Sequence, residues 1–406
     1  MWAAFIEVMR NRDIRIVTIT MFCLGFTFAS AWPYQSLIAL EQLKFSETEF
    51  ALILLGVAVI GMVGNVVIGH FSDQARNRKQ AIVVALGVGT IGFGLFALLP
   101  SKLTFLLCML VAVPIATSSF SQLFAVIRAI TATRPSGEAA LINSAVRTIY
   151  AASWIVVPGL VGAWIAFRQN VSDSYGIAAL AYLFCFALYL TLGPSGGRAE
   201  ALTVSRWASL SEAVQLIAAR PIFLRVAALA LIGMAHPLNA AVLPLLVEGE
   251  LGGTTRDIGI LAGLVAGLEI PFMILAGSAC RRFPVWLVVL IGGLTYSVYA
   301  LLLGQATALW QVYVLALPCA AGAAVILSLF LSYVQDLMPD RPGLGTSLMS
   351  IEGVMARALS ALVFALIGSW WSLSGALIAA GLVGIAGAIM LIALDRARVA
   401  PAGGQA

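Results

Sequence analysis

The sequence predicts an all-α integral membrane protein with about twelve transmembrane helices arranged as two related six-helix halves. Three observations lead there. Of the 406 residues, 61% are hydrophobic and only 10% carry a charge, whereas soluble domains carry about a quarter of their residues as charges. Apolar stretches recur that are long enough to cross a hydrocarbon core of ~30 Å. Features of the first half return in the second at a shift of about 206 positions, near half the chain length.

Between charged or Pro- and Gly-bearing breaks, the spans fall near 14–40, 50–71, 80–100, 104–130, 139–167, 176–193, 222–247, 257–279, 286–304, 309–334, 345–369 and 373–394. The first run is longer than a signal-peptide h-region and no A-x-A-like site follows it, so it is expected to be a membrane helix, not a cleaved leader. With this count both termini lie on one side. That side collects Arg10, Arg12, Arg15, Arg76, Arg78, Lys79, Arg134, Arg198, Arg206, Arg220, Arg281, Arg282, Arg341, Arg396 and Arg398, while the other has little beyond Lys44, Arg168 and Arg256. The positive-inside rule then places both ends in the cytoplasm.

The net charge of +5 is therefore a topology signal. It forms no basic stripe with interleaved aromatics, so no nucleic-acid partner is expected. Cys23, Cys108, Cys185, Cys280 and Cys319 stand singly in apolar runs, as small buried hydrophobes do. Two distant histidines cannot hold zinc alone, and no Walker loop, HExxH or Ser/His/Asp set is present. Neither metal, cofactor nor catalysis is expected. The stretch "GVGTIGFG" (Gly87 to Gly94) fits G-x-G-x-x-G, but it lies inside a span with no strand before it, where small residues serve helix contact.

The longest polar connection, 194–221, separates residues 1–193 from 222–406 and is read as a cytoplasmic linker between two six-helix bundles. The repeat supports that division. "RPSGEAALINSAVRTIYAASWIVVPGLVGAW" before and within the fifth span is answered by "RPGLGTSLMSIEGVMARALSALVFALIGSW" at the eleventh. Arg134-Pro135 answers Arg341-Pro342, Ser144 answers Ser350, Gly162 answers Gly368 and Trp164 answers Trp370.

The loop "GHFSDQARNRK", with Gly69, Asp73, Arg78 and Lys79, resembles the motif that major facilitator transporters carry between their second and third helices. The resemblance implies the major facilitator fold and a gating role for those four residues. On physics alone, an Asp beside a helix start caps exposed N–H groups, and a capped positive-inside loop is the plainer account. "GLEIPFMILAGSACRRF" (Gly267 to Phe283), "SYVQDLMPDRPGLGTSL" (Ser332 to Leu348) and "INSAVRTIYAASWIVVPGL" (Ile142 to Leu160) are similar to stretches of the bacterial sugar efflux transporter family. That resemblance implies proton-driven export of sugars or sugar-like molecules across the inner membrane. Met349, Glu352 and Gly353 stand where those relatives are richer in Thr and Asn, which leaves export of drugs or other amphiphiles open.

Ionisable groups within hydrocarbon are costly and mark function or interior pairing. The candidates are Arg147 in the fifth span, Glu269 in the eighth and Glu352 in the eleventh. Glu269, followed by Pro271, is the leading protonation site, with Glu352 its competitor. By analogy with the fold, Arg147 is expected to pair with Glu269 across the two halves, either as coupling chemistry or as a static ion pair. Substrate-binding candidates are Gln122, Asn143, Tyr150, Trp154, His236 and Asn239, since a sugar needs an aromatic plate beside amide partners. Trp154 is equally read as packing or an interfacial anchor, and His236 as a partner for backbone freed by Pro237. The expected partners are a small-molecule substrate such as a sugar or glycoside, protons and the lipid bilayer, with the chain a monomer. A ligand sensor that does not transport is the rival class.

Overall fold

In the computed structural model, residues 2–74, 78–134, 136–194, 220–337, 342–368 and 372–399 are described. Among them the chain is helical throughout and contains no strand. A short N-terminal helix, Trp2–Arg10, precedes twelve helices long and apolar enough to cross a membrane. They are α1 (Arg12–Tyr34), α2 (Glu47–Gln74), α3 (Arg78–Leu98), α4 (Lys102–Thr131), α5 (Ser136–Arg168) and α6 (Asp173–Leu192). The second set is α7 (Pro221–Glu250), α8 (Thr255–Ala279), α9 (Val285–Leu303), α10 (Leu309–Asp336), α11 (Pro342–Val363) and α12 (Leu373–Val399).

Local chemistry sets several of these boundaries. Asn11 caps α1 by accepting from the backbone N–H of Asp13 and Ile14, and Pro33 tightens its far end into a 3₁₀ turn. Ser101 and Thr104 close a capping box at the start of α4. Leu52, Ile91, Leu160, Leu180, Ile274, Val314 and Ile389 are all exposed. In water such a surface would aggregate. In lipid it is the solvated face, because hydrocarbon chains are as apolar as leucine.

Contacts divide the chain into two units. The first comprises Met1–Phe45, Gly56–Arg206 and Thr254–Gly263, and the second Ser46–Leu55, Trp207–Gly253 and Leu264–Ala406. The opening turns of α8 thus belong to the first unit, and those of α2 to the second.

The first unit is centred on rings from α3, α4 and α6. Phe93 stacks on Tyr175 at 5.2 Å, and Phe96 meets Tyr175 edge-on at 4.8 Å and Phe105 at 5.4 Å. In the same unit α8 approaches α5 closely. A Cβ at Gly259 would stand 2.1 Å from the Pro158 carbonyl oxygen, so only glycine fits there. Pro158 lacks the N–H that would bond the carbonyl four residues earlier, and its own carbonyl accepts from the Tyr34 hydroxyl at 2.6 Å. The second unit packs Ile232 of α7, Val289 of α9, Val325 and Phe330 of α10 and Leu391 of α12 around one core.

The expected linker falls almost wholly on residues 195–219, outside the described residues, as do Pro135, Arg341 and Trp370 of the repeat.

Candidate functional site

In the first unit, α4 carries Gln122, and α5 carries Asn143, Arg147, Tyr150 and Trp154. Phe120 packs edge-on against Tyr150 at 4.9 Å and against Phe124 at 5.0 Å. The Arg147 guanidinium lies over the Phe124 ring, 5.0 Å from its centroid, a cation–π contact that offsets part of the cost of a charge in a membrane helix. Trp154, one turn beyond Tyr150, approaches the Tyr150 hydroxyl and is half-buried.

Gln122 is buried and donates from Nε2 to Ser118 Oγ at 3.1 Å, while its Oε1 has no hydrogen-bond partner among the described residues. Asn143 Oδ1 is likewise buried without one. Two amide oxygens held in this way are acceptors ready for a ligand's hydroxyl groups, because a buried carbonyl without a donor is costly.

In the second unit, α7 breaks at Met234 and restarts at Ala235, ahead of His236, Pro237 and Asn239. The polar groups of this break are met by α9. Tyr299 donates its hydroxyl to Asn239 Oδ1 at 2.8 Å, and the Tyr296 hydroxyl stands 3.3 Å from His236 Nδ1. The two tyrosine rings pack edge-on at 5.3 Å. Glu269 lies half-buried in α8 two residues before Pro271, with Tyr296 and Cys319 as its electrostatic neighbours.

Glu352, on α11, is 5% exposed, and a Cβ at Gly233 would stand 2.9 Å from its Oε1. Glycine at the break of α7 therefore lets this carboxylate reach the α7 backbone. Arg357 turns back along its own helix and donates to the Gly353 carbonyl at 3.2 Å.

The second unit thus gathers His236, Asn239, Glu269 and Glu352, and the first Gln122, Asn143, Arg147, Tyr150 and Trp154. The expected pairing of Arg147 with Glu269 would join the two units; within its own unit Arg147 lies on Phe124. Of the loop residues, Gly69 and Asp73 fall in the last turns of α2, and Arg78 and Lys79 open α3, with 75–77 outside the described residues.

The sequence reading missed four groups. Tyr296 and Tyr299 sit three apart in "GGLTYSVYALLL", and the signal was two hydroxyls in one membrane span, each needing a partner. Arg225 and Asp395, near span ends, form a buried network. Arg225 Nε donates to Asp395 Oδ1 at 2.8 Å, its Nη2 to the Leu394 carbonyl at 2.8 Å, and Tyr333 to Asp395 Oδ2 at 2.6 Å. These contacts fasten α7, α10 and α12 at one end of the second unit. Among the described residues no group of three or more His, Cys, Asp or Glu is placed to hold a metal.

Outside the spans, Arg134 donates to Glu7 Oε1 at 2.6 Å and also pairs with Glu138. This hydrogen bond holds the Glu7 carboxyl below the usual carboxylate value.

Comparison with known proteins places this geometry among transporters. The family model described as Major Facilitator Superfamily matches residues 17–361. A relative from Deinococcus radiodurans, whose name assigns it to sugar efflux, is 28% identical over 359 residues, covering 88% of this chain and 91% of its own. Sugar efflux transporter A of Dickeya chrysanthemi is 26% identical over 355 residues, covering 86% and 88%. Among solved structures, the nucleoside transporter NupG superposes with a TM-score of 0.79 at 11% identity, over 95% of this chain and 99% of that one. At that identity the likeness speaks for the fold alone.

Proposed function

Because the chain belongs to the major facilitator superfamily of transporters, we propose that it exports sugars or sugar-like molecules in exchange for protons by alternating access. The observation that carries the substrate class is the pair of unpartnered buried acceptors, Gln122 Oε1 and Asn143 Oδ1, in the unit that holds Tyr150 and Trp154. A sugar presents hydroxyl edges to amides and C–H faces to rings. Relatives named for sugar efflux, similar over most of the chain, support the same class.

Glu269 is the proton carrier in this reading, with Glu352 second. A carboxylate in a membrane span takes up a proton when it is desolvated and releases it beside a cation. Arg147 is the cation assigned to that release. His236 and Asn239 line the substrate path on the second unit. Gly69, Asp73, Arg78 and Lys79 form the gating turn, and the basic side of the protein faces the cytoplasm of a bacterial inner membrane, with both termini there and the chain acting as a monomer.

Export of amphiphilic cations is the second reading, favoured by the ring cluster Phe120, Phe124 and Tyr150, which binds a cation face as readily as a sugar face. Vesicles carrying the purified protein and a pH gradient separate the two. Proton movement on adding sugars or glycosides supports the first reading, and movement with hydrophobic cations alone replaces it with the second. Ligand binding with no flux of either class indicates a sensor.

A further inference from the structure

Two adjoining cavities in the second unit are lined by none of the residues assigned to transport. One, of about 320 Å³, is an apolar groove along α8, α9 and α10, lined by Phe272, Leu275, Leu287, Ile291, Thr295 and Ala321 among others. Leu275 and Ile291 are exposed, so the groove opens toward lipid. From Leu287 to Thr295 it follows α9 for about 12 Å of helix rise, close to the depth of one leaflet of a ~30 Å hydrocarbon core.

The other cavity, of about 330 Å³, is the more polar of the two, and Phe283 lines both. It sits at the start of α9 and the ends of α10 and α12, with Trp286, Asp336 and Asp395 in its wall. Asp395 is neutralised by Arg225 and accepts from the Tyr333 hydroxyl. Asp336 is exposed and makes no ion pair among the described residues. It ends α10, where a carboxylate faces the negative end of the helix dipole and a cation is favoured. Trp286 Nε1 is a buried donor with no acceptor among the described residues. Arg281 and Arg282 stand exposed in the turn that leads into the cavity.

We propose that these cavities form one binding site for an aminophospholipid such as phosphatidylethanolamine from the leaflet on the basic side. An acyl chain fills the groove and the headgroup the cavity walled by Trp286, Asp336 and Asp395. The ammonium meets Asp336, the phosphodiester and glycerol-ester oxygens accept from Trp286 Nε1, and Arg281 and Arg282 flank the phosphate. A free carboxylate, an unpaired donor and a leaflet-deep apolar groove together match a zwitterion with a tail. A sugar lacks the tail, and a purely anionic lipid lacks the cation.

The test is lipid retention by the whole protein. It is placed in nanodiscs of equal phosphatidylethanolamine, phosphatidylglycerol and phosphatidylcholine, extracted, and weighed by native mass spectrometry. Phosphatidylethanolamine is expected to be retained selectively, with Asp336→Asn lowering its retention about fivefold, the scale of one exposed ion pair, and leaving the other lipids unchanged. A diazirine on its acyl chain is expected to label α8, α9 and α10, and Ala321→Phe, which fills the groove, to abolish that labelling. Equal retention of the three lipids, full selectivity in Asp336→Asn, or labelling spread over all spans would overturn the proposal and leave only unspecific boundary lipid. Asp336 is exposed, so an unchanged melting temperature separates lost binding from lost folding.

Discussion

Tyr299 of α9 holds the Asn239 side chain of α7, donating to its Oδ1 at 2.8 Å with both residues buried. The bond ties the restart of α7 to its neighbour at the position where the α7 helix ladder is interrupted. Polar groups at membrane depth are acceptable only when satisfied in this way.

Tyr299→Phe leaves that carbonyl oxygen without its donor. The expected loss is about 0.6–2 kcal/mol, as hydrogen bonds within membrane proteins are worth less than desolvation alone suggests. Thermal unfolding in detergent measures it. The double variant Tyr299→Phe with Asn239→Leu should lie closer to the wild type than Tyr299→Phe alone; equal or greater loss would mean that the bond is not what the pair contributes.

Asp395→Ala strands the buried Arg225 charge. A loss of about 3–5 kcal/mol is expected for breaking one partner of such a pair. Replacing both, as Arg225→Met with Asp395→Leu, should restore most of it. If the single and double variants melt together, the network is not the fastening of α7 to α12.

Gly259→Val places a side chain against the Pro158 carbonyl, 2.1 Å from where the Cβ would stand. Overpacking of this kind costs about 1–3 kcal/mol, and the start of α8 must shift away from α5. A disulfide-trapping assay between introduced cysteines on the two helices should slow severalfold, and an unchanged rate would count against the close approach.

The pH dependence of the N-terminal helix follows from Glu7. Its carboxyl is held below the ordinary value of 4.5, chiefly by the hydrogen bond from Arg134. A group depressed in the folded state contributes stability that is fully present above its unfolded value and is lost as pH falls through the lower folded value. Docking of Trp2–Arg10, followed by hydrogen exchange, should therefore hold at neutral pH and weaken only in acid below 4.5. Glu7→Gln should remove that dependence. Persistence of the acid transition in Glu7→Gln would assign it to another group.

What the sequence made legible follows the bilayer. Each of the twelve expected spans overlaps a helix long and apolar enough to cross a membrane, such as 345–369 against Leu348–Ile367, because hydrocarbon thickness dictates a run length that residue type reports directly. The break in α7 was readable from His236-Pro237 for a similar reason, since proline cannot continue the ladder. Partner choice was not readable. Tyr296 and Tyr299 read as apolar filler until α7 supplies His236 and Asn239, and Asp395 fell just outside the expected last span although it is 1% exposed. Glu7 and Arg134 are 127 residues apart. Such pairs are made by the packing of helices distant in sequence, and no local period encodes them.

The central claim is that Glu269 carries the proton exchanged for the exported substrate. In vesicles, Glu269→Gln should abolish uphill sugar flux driven by a pH gradient while leaving sugar-for-sugar exchange intact, because exchange needs the moving helices and the binding site but no proton transfer. Full gradient-driven accumulation by Glu269→Gln would contradict the account and pass the role to Glu352.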